Sequence, residues 1–130
     1  MNPVKILIVD DDREMCGELA EILTEEGFTV DVAYDGTAGK RLVDDEKYGV
    51  AIVDLKLPGL NGADLIRHIK STCSTHVIVI TGKPLGSDLY DTLQPREDPS
   101  RSITQFADDL AEKPFDIRKI LDSIKRATTA

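Results

Sequence analysis

The sequence predicts an α/β fold built on a parallel sheet, and three observations carry that expectation. Apolar runs of strand length alternate with helical patterns along most of the chain, the arrangement expected of consecutive βαβ units. The first run contains Ile6-Leu7-Ile8-Val9 without interruption, as in a strand buried on both faces. Polar residues stand directly behind the strands: Asp10-Asp11-Asp12 after the first, Asp54 after the third and Thr81 after the fourth. Parallel strands point one way, so their carboxyl ends share one rim.

The elements follow in order. Val4 to Val9 is the first strand. The next stretch places Met15, Leu19, Ile22 and Leu23 on one helical face, with Gly27 as the stop. Phe28 to Ala33 alternates and is rich in β-formers, which predicts the second strand. Asp35-Gly36 signals a turn, and a weaker helix runs to about Asp44. Tyr48 to Val53 is the third strand, and Pro58-Gly59 with Asn61-Gly62 makes a turn-rich loop. Ala63 to Lys70 is a short helix with Leu65, Ile66 and Ile69 inward. Val77 to Ile80 is the fourth strand, dense in β-branched residues. Pro84, Pro95 and Pro99 then interrupt the pattern; helices over Ser87 to Leu93 and Ser102 to Asp109 are weak expectations, and Leu110-Ala111-Glu112 is a thin fifth strand. The last helix carries Ile117, Ile120, Leu121 and Ile124 on one face, with Asp116 at its start and Lys125 and Arg126 at its end, as the helix dipole favours.

Composition bounds the function. A chain of 130 residues suits one domain with one core. Its net charge of −8 disfavours nucleic acid and anionic membrane surfaces, which both require basic patches. The apolar runs are too short to span a bilayer, and the N-terminus lacks the pattern of a signal peptide. Cys16 and Cys73 have no metal-ligand spacing and read as small apolar residues in a reducing compartment, so the cytoplasm is the expected location.

The acidic triplet admits two readings. One aspartate caps the following helix while the others face water, or the cluster holds a divalent cation that offsets its repulsion. The later strand ends favour the second. Asp10, Asp11 and Asp54 supply carboxylates, Thr81 a hydroxyl and Lys113 an ammonium group, all expected at one rim. Mg²⁺ takes oxygen ligands in octahedral geometry at about 2.1 Å and keeps some water. A carboxylate oxygen left free beside it can attack a phosphoryl group, a reaction that needs mainly alignment and charge neutralisation.

At this point the chain resembles the response-regulator receiver domains of two-component signalling. The matching segments are Ile6-Leu7-Ile8-Val9-Asp10-Asp11-Asp12, Val53-Asp54-Leu55-Lys56-Leu57-Pro58-Gly59-Leu60-Asn61-Gly62, Val79-Ile80-Thr81-Gly82 and Glu112-Lys113-Pro114-Phe115-Asp116. The resemblance covers the chain except roughly residues 83 to 105. It implies a flavodoxin-like, doubly wound, five-stranded parallel sheet in the order 2-1-3-4-5, as one domain over residues 1–130. It also implies that Asp54 is the phospho-acceptor, taking a phosphoryl group from phosphohistidine on a histidine kinase or phosphotransfer protein. Asp10 and Asp11 would hold Mg²⁺ (or Mn²⁺) together with Asp54 and the backbone carbonyl of Lys56. Thr81 would be the switch hydroxyl, Lys113 would pair with phosphoryl oxygens, the Lys113-Pro114 bond would be cis, and Asp12 would cap the first helix. His68 and His76 read as structural or solvated. The implied activity is self-phosphorylation and dephosphorylation without turnover of an external substrate, and the output is contact with an unspecified downstream protein.

Three departures qualify the resemblance. Leu110 stands where receivers usually carry Tyr or Phe, so the usual aromatic switch is expected to be absent. Thr81 and Lys113 are 32 positions apart, a longer and more proline-rich connector than the family pattern, so the helix that normally follows the fourth strand is expected to be displaced, shortened or disordered. Lys56 and Lys83 each stand two positions after a site residue, where ammonium groups can hold or steer a phosphate or remain solvated. A receiver-like docking module without productive phosphorylation is therefore the competing function. An aspartyl-phosphate phosphatase is disfavoured because Lys56 occupies the position where those enzymes typically place a second aspartate. A flavin carrier is disfavoured because the loop after the first strand is acidic. A single-domain regulator and a piece of a longer one both remain open.

Overall fold

A computed structural model describes residues 4–55, 57, 60–81, 107–112 and 116–128. The elements are β1 (Lys5–Val9), α1 (Arg13–Glu25), β2 (Thr29–Ala33), α2 (Gly36–Asp45), β3 (Val50–Asp54), α3 (Gly62–Thr72), β4 (His76–Thr81), β5 (Asp109–Glu112) and α4 (Ile117–Thr128). The five strands form one sheet in the order β2-β1-β3-β4-β5, every pairing parallel. This is the predicted doubly wound order. The expected helix at Ser87 to Leu93 and the atypical connector over 83–105 lie outside the described residues.

Period-2 alternation sorts the strand residues between two helical layers. Leu7, Val9, Ala51, Val53, Val77 and Val79 face α2 and α3, packing against Val43, Leu65, Ile66 and Ile69. Ile6, Ile8, Val50, Ile52, Ile78 and Ile80 face α1 and α4, packing against Cys16, Leu19, Leu23, Ile120 and Ile124. Each fully buried side chain of this size contributes about 1.5–3 kcal/mol. On α1 the buried stripe is Cys16, Leu19 and Leu23, with Met15 and Ile22 half-buried beside it.

Boundaries differ from the sequence expectation where backbone groups have other partners. The second strand begins at Thr29 rather than Phe28, because Phe28 N–H donates to Leu23 O at 3.1 Å and Gly27 N–H to Thr24 O at 3.0 Å. That pair of bonds is a Schellman closure of α1, and Gly27 supplies its left-handed residue at φ 98°. The third strand begins at Val50 rather than Tyr48, whose carbonyl accepts from the Thr75 hydroxyl at 2.8 Å. The expected helix reaching Asp109 is not present over 107–109: Asp108 N–H donates to Val77 O at 2.8 Å, and Asp109 opens β5.

The entry to β5 is fastened at the rim opposite the acidic triplet. Asp108 accepts from Lys70 Nζ at 2.7 Å and from Val77 N–H at 2.8 Å. Asp109 accepts from the Ser123 hydroxyl and lies 3.2 Å from His76 Nε2. Burial pushes the Asp108 carboxyl up, but the hydrogen bonds from Lys70 and Val77 and the charges of Lys70 and His76 outweigh it and leave it below the usual range. A carboxylate depressed in the folded state adds stability above its unfolded pKa and loses it as pH falls through the folded value. Asp108→Asn is therefore expected to lower stability near neutral pH by about 0.5–1 kcal/mol, allowing for solvent screening. Urea melts across pH check this: the gap should close in acid, and a gap constant down to acid pH would remove the charge from the explanation.

Candidate metal centre at the carboxyl rim

β1 and β3 are neighbours, with Val9 opposite Val53, so the residues that follow them emerge side by side. Asp10 is fully buried and Asp54 is 6% exposed, whereas Asp11 is exposed. One carboxylate oxygen from each of Asp10, Asp11 and Asp54 lies within 4.8 Å of the other two. Residues 44 positions apart thus share one acidic cluster. Opposite ligands on an octahedral Mg²⁺ stand about 4.2 Å apart, so small side-chain adjustments fit all three around one ion. An all-oxygen, all-anionic donor set suits a hard divalent cation such as Mg²⁺ or Mn²⁺.

The backbone around the cluster is tightly held. Asp10 N–H donates to Ala33 O at 3.0 Å, and Asp10 Oδ1 accepts from Asp12 N–H at 2.9 Å. The Cys16 thiol, buried on the first turns of α1, donates to Asp10 O at 3.3 Å. Asp12 Oδ1 accepts from Met15 N–H at 3.1 Å and caps α1. The triplet divides by position: Asp12 serves the helix, while Asp10 and Asp11 turn toward Asp54.

Behind Asp54, Leu55 N–H donates to Ile80 O at 3.2 Å and Gly62 N–H to Leu55 O at 3.2 Å. Asn61 caps α3, accepting from Asp64 N–H at 2.9 Å. Asn61-Gly62 reads as a turn in the sequence but forms the start of a helix. A Cβ on Gly62 would stand 2.1 Å from Asp54 O and 2.7 Å from Leu55 Cα, so α3 approaches β3 this closely only with glycine. Gly17, in the exposed face of α1, has nothing within 4 Å of its would-be Cβ. The two glycines should respond in opposite directions to alanine. Gly62→Ala is expected to lose about 1–3 kcal/mol from steric displacement of β3, and Gly17→Ala to gain about 0.5–1 kcal/mol from helix propensity. Denaturant melts of both variants check the pair, and a neutral Gly62→Ala would show that the approach is not required.

Thr81 ends β4, one residue after Ile80, which pairs with Asp54. Its backbone is on the predicted rim. Lys56, Lys83 and Lys113, with the Lys113-Pro114 bond, lie outside the described residues. Leu110 sits on β5 opposite Val79, and 37% exposure makes it the large exposed hydrophobic side chain among the described residues. His68 Nε2 lies 2.6 Å from Asp44 Oδ1, and His76 is at the opposite rim, so neither histidine joins the cluster. The sequence reading missed Arg13 and Tyr34 beside the cluster, where the guanidinium stacks on the ring at 4.0 Å. Their separation along the chain gives no sign of the contact, which follows from β1 and β2 being neighbours. Among the described residues no helix is long and apolar enough to cross a membrane.

Comparison with known proteins agrees with this fold. The family model described as response regulator receiver domain matches residues 6–125. The response regulator ArlR of Staphylococcus aureus (strain Mu50 / ATCC 700699) is 37% identical over 121 residues, covering 93% of this chain and 51% of that protein. The chain thus spans about half the length of the curated relatives it matches. Among solved structures, a CheY-like receiver domain protein from Methanospirillum hungatei JF-1 aligns with TM-score 0.78 and 28% identity over 96% of this chain and 93% of that one. The response regulator TrrA from Thermotoga maritima, in complex with Mg(2+)-BeF, aligns with TM-score 0.77 and 25% identity over 95% and 98%.

Proposed function

The chain belongs to the response regulator receiver domain family of two-component systems, and on that premise we propose that it is a phosphorylation-dependent switch with Asp54 as phospho-acceptor. The observation that carries the proposal is the convergence of the Asp10, Asp11 and Asp54 carboxylates within 4.8 Å. Residues 1–130 are taken as one receiver domain, with 83–105 as a long connector. The donor is phosphohistidine on a histidine kinase or phosphotransfer protein, the output is contact with a downstream protein, and the location is the cytoplasm.

In this reading Asp10, Asp11, Asp54 and the Lys56 carbonyl would hold Mg²⁺ or Mn²⁺. The ion, when bound, neutralises the carboxylates and the charge on the incoming phosphoryl group. Asp54 supplies the nucleophile. Its free carboxylate oxygen forms a bond to phosphorus while the phosphorus–nitrogen bond of phosphohistidine breaks, and the imidazole nitrogen keeps the electron pair. Asp10 and Asp11 would supply carboxylates that hold the ion together with Asp54. Thr81 donates its hydroxyl to a phosphoryl oxygen, and Lys113 pairs with another. Attack of water on the acyl phosphate returns Asp54 and inorganic phosphate, so no external substrate turns over.

Support comes from the family, from the buried carboxylates at the strand ends, and from the Mg(2+)-BeF complex of the Thermotoga relative. A second reading, a docking module with weak phosphorylation coupling, is favoured by Leu110, whose apolar and exposed side chain replaces the usual aromatic switch. Incubation with acetyl phosphate and Mg²⁺, followed by intact-mass measurement, separates the two. Gain of one phosphoryl group supports the switch, and an unchanged mass supports the docking module.

A further inference from the structure

β1 and β2 end side by side, and the segments leaving them border an open surface depression next to the acidic cluster. It measures about 550 Å³, and its walls include Asp11, Arg13, Tyr34, Asp35, Thr37 and Arg41. That is room for a side chain or a small organic anion rather than for a bare ion. Arg13 opens α1, and its guanidinium lies 4.0 Å over the Tyr34 ring. Stacking of this kind fixes the guanidinium plane and leaves its N–H groups to bind. Among the described residues neither Arg13 nor Arg41 has a carboxylate within ion-pair distance. Asp35 is engaged as the cap of α2, with Oδ1 accepting from Ala38 N–H at 2.7 Å. In a chain of net charge −8, two exposed guanidinium groups border one cavity with no carboxylate in ion-pair distance among the described residues, although Asp11 and Asp35 also line it.

The geometry points to a binding subsite for an oxyanion, of phosphate or carboxylate class, held by Arg13 and Arg41 with the Thr37 hydroxyl as a further donor. The subsite rests on the proposed role of Asp54 in one respect: Asp11 belongs both to the cluster with Asp54 and to this cavity, so a donor docked at Asp54 would meet Arg13 and Arg41 with any anionic group it carries beside the phosphoryl group. Arg13 and Arg41 then select among donors rather than take part in the transfer. Arg forks bind such groups through paired, charge-assisted hydrogen bonds. Asp11 belongs to both the cavity and the acidic cluster. With a divalent ion on the cluster, the charge of Asp11 no longer offsets the arginines, so the anion and the ion should bind cooperatively, each strengthening the other by the same factor.

Amide chemical shifts of the wild-type protein test this, with inorganic phosphate and a blocked aspartyl peptide as separate probes, with and without Mg²⁺. Phosphate should move the amides of Arg13, Thr37, Ala38 and Arg41. Its affinity should rise about fivefold with Mg²⁺ and fall at least about fivefold in Arg13→Ala and in Arg41→Ala. Binding of the peptide at the same amides identifies a donor protein's carboxylate as the source; binding of phosphate alone identifies a phosphate-bearing donor. Shifts centred on Leu55 and Thr81, or affinities unchanged by both arginine substitutions, overturn the subsite. Phosphorylation of Asp54 by acetyl phosphate is scored separately. If it fails while the cavity binds phosphate, the reading of Asp54 falls and the subsite stands; if it succeeds while the arginines do not respond, the subsite alone falls.

Discussion

Asp54→Asn should abolish phosphoryl incorporation from acetyl phosphate and Mg²⁺, lowering its rate by at least about a thousandfold. The substitution keeps the shape of the side chain and removes the nucleophilic oxygen. The backbone bonds around it, Leu55 N–H to Ile80 O and Gly62 N–H to Leu55 O, do not use the side chain. Intact-mass measurement over time, wild type beside variant, reads the effect. Asp10 and Asp11 are the informative competitors, since their carboxylate oxygens come within 4.8 Å of Asp54. If the variant still gains a phosphoryl group at a comparable rate, the acceptor is one of those two or lies elsewhere. Asp54 is the expected acceptor because the segment Val53-Asp54-Leu55-Lys56 resembles the acceptor segment of receiver domains.

The central strands and the helices that cover them were legible because their signals are local. Ile6-Leu7-Ile8-Val9 is apolar without a break because both faces of β1 are covered, by α2 and α3 on one side and α1 and α4 on the other. Asp12 sits where capping chemistry places it and caps α1, whereas Asp35, which reads with Gly36 as a turn, caps α2. Errors fell at element ends, where one hydrogen bond decides: the Phe28 N–H closes α1 instead of opening β2. The expected helix does not extend over 107–109, because β5 is short and bordered by acidic residues, so its apolar signal is thin; what fastens it is Asp108 on Lys70 and Val77, contacts invisible to periodicity. The acidic cluster was legible only through the parallel-sheet rule that gathers strand ends on one rim. Arg13 on Tyr34 was not, because neither residue departs from an ordinary surface pattern. The close approach at Gly62 was not, because a glycine after asparagine reads as a turn whether or not a strand lies against it.

Asp11→Asn is expected to stabilise the metal-free protein while removing most of its response to Mg²⁺. Two unit charges at the separation found here repel by about 1 kcal/mol in water and several-fold more when partly buried. Asp10 and Asp54 are both buried. Asp11 adds a third negative charge to that pair. Asparagine at position 11 removes two of the three repulsions, and Asp11 is exposed, so packing changes little. The melting temperature without metal should rise by about 3–6 °C. The same charge is what attracts the cation, so Mg²⁺ affinity should fall by about 30-fold or more, as loss of one carboxylate from an oxygen-ligand site implies. Asp10→Asn is the less clean variant, because Asp10 Oδ1 also holds Asp12 N–H and with it the entry to α1. Thermal melts of wild type and Asp11→Asn, with Mg²⁺ and with chelator, read both effects. Added salt should shrink the gain without metal, since it screens the repulsion that the variant removes. A variant that melts no higher than wild type in chelator, yet still gains the full Mg²⁺ shift, would take Asp11 out of the cluster's electrostatics and leave the ion to Asp10 and Asp54.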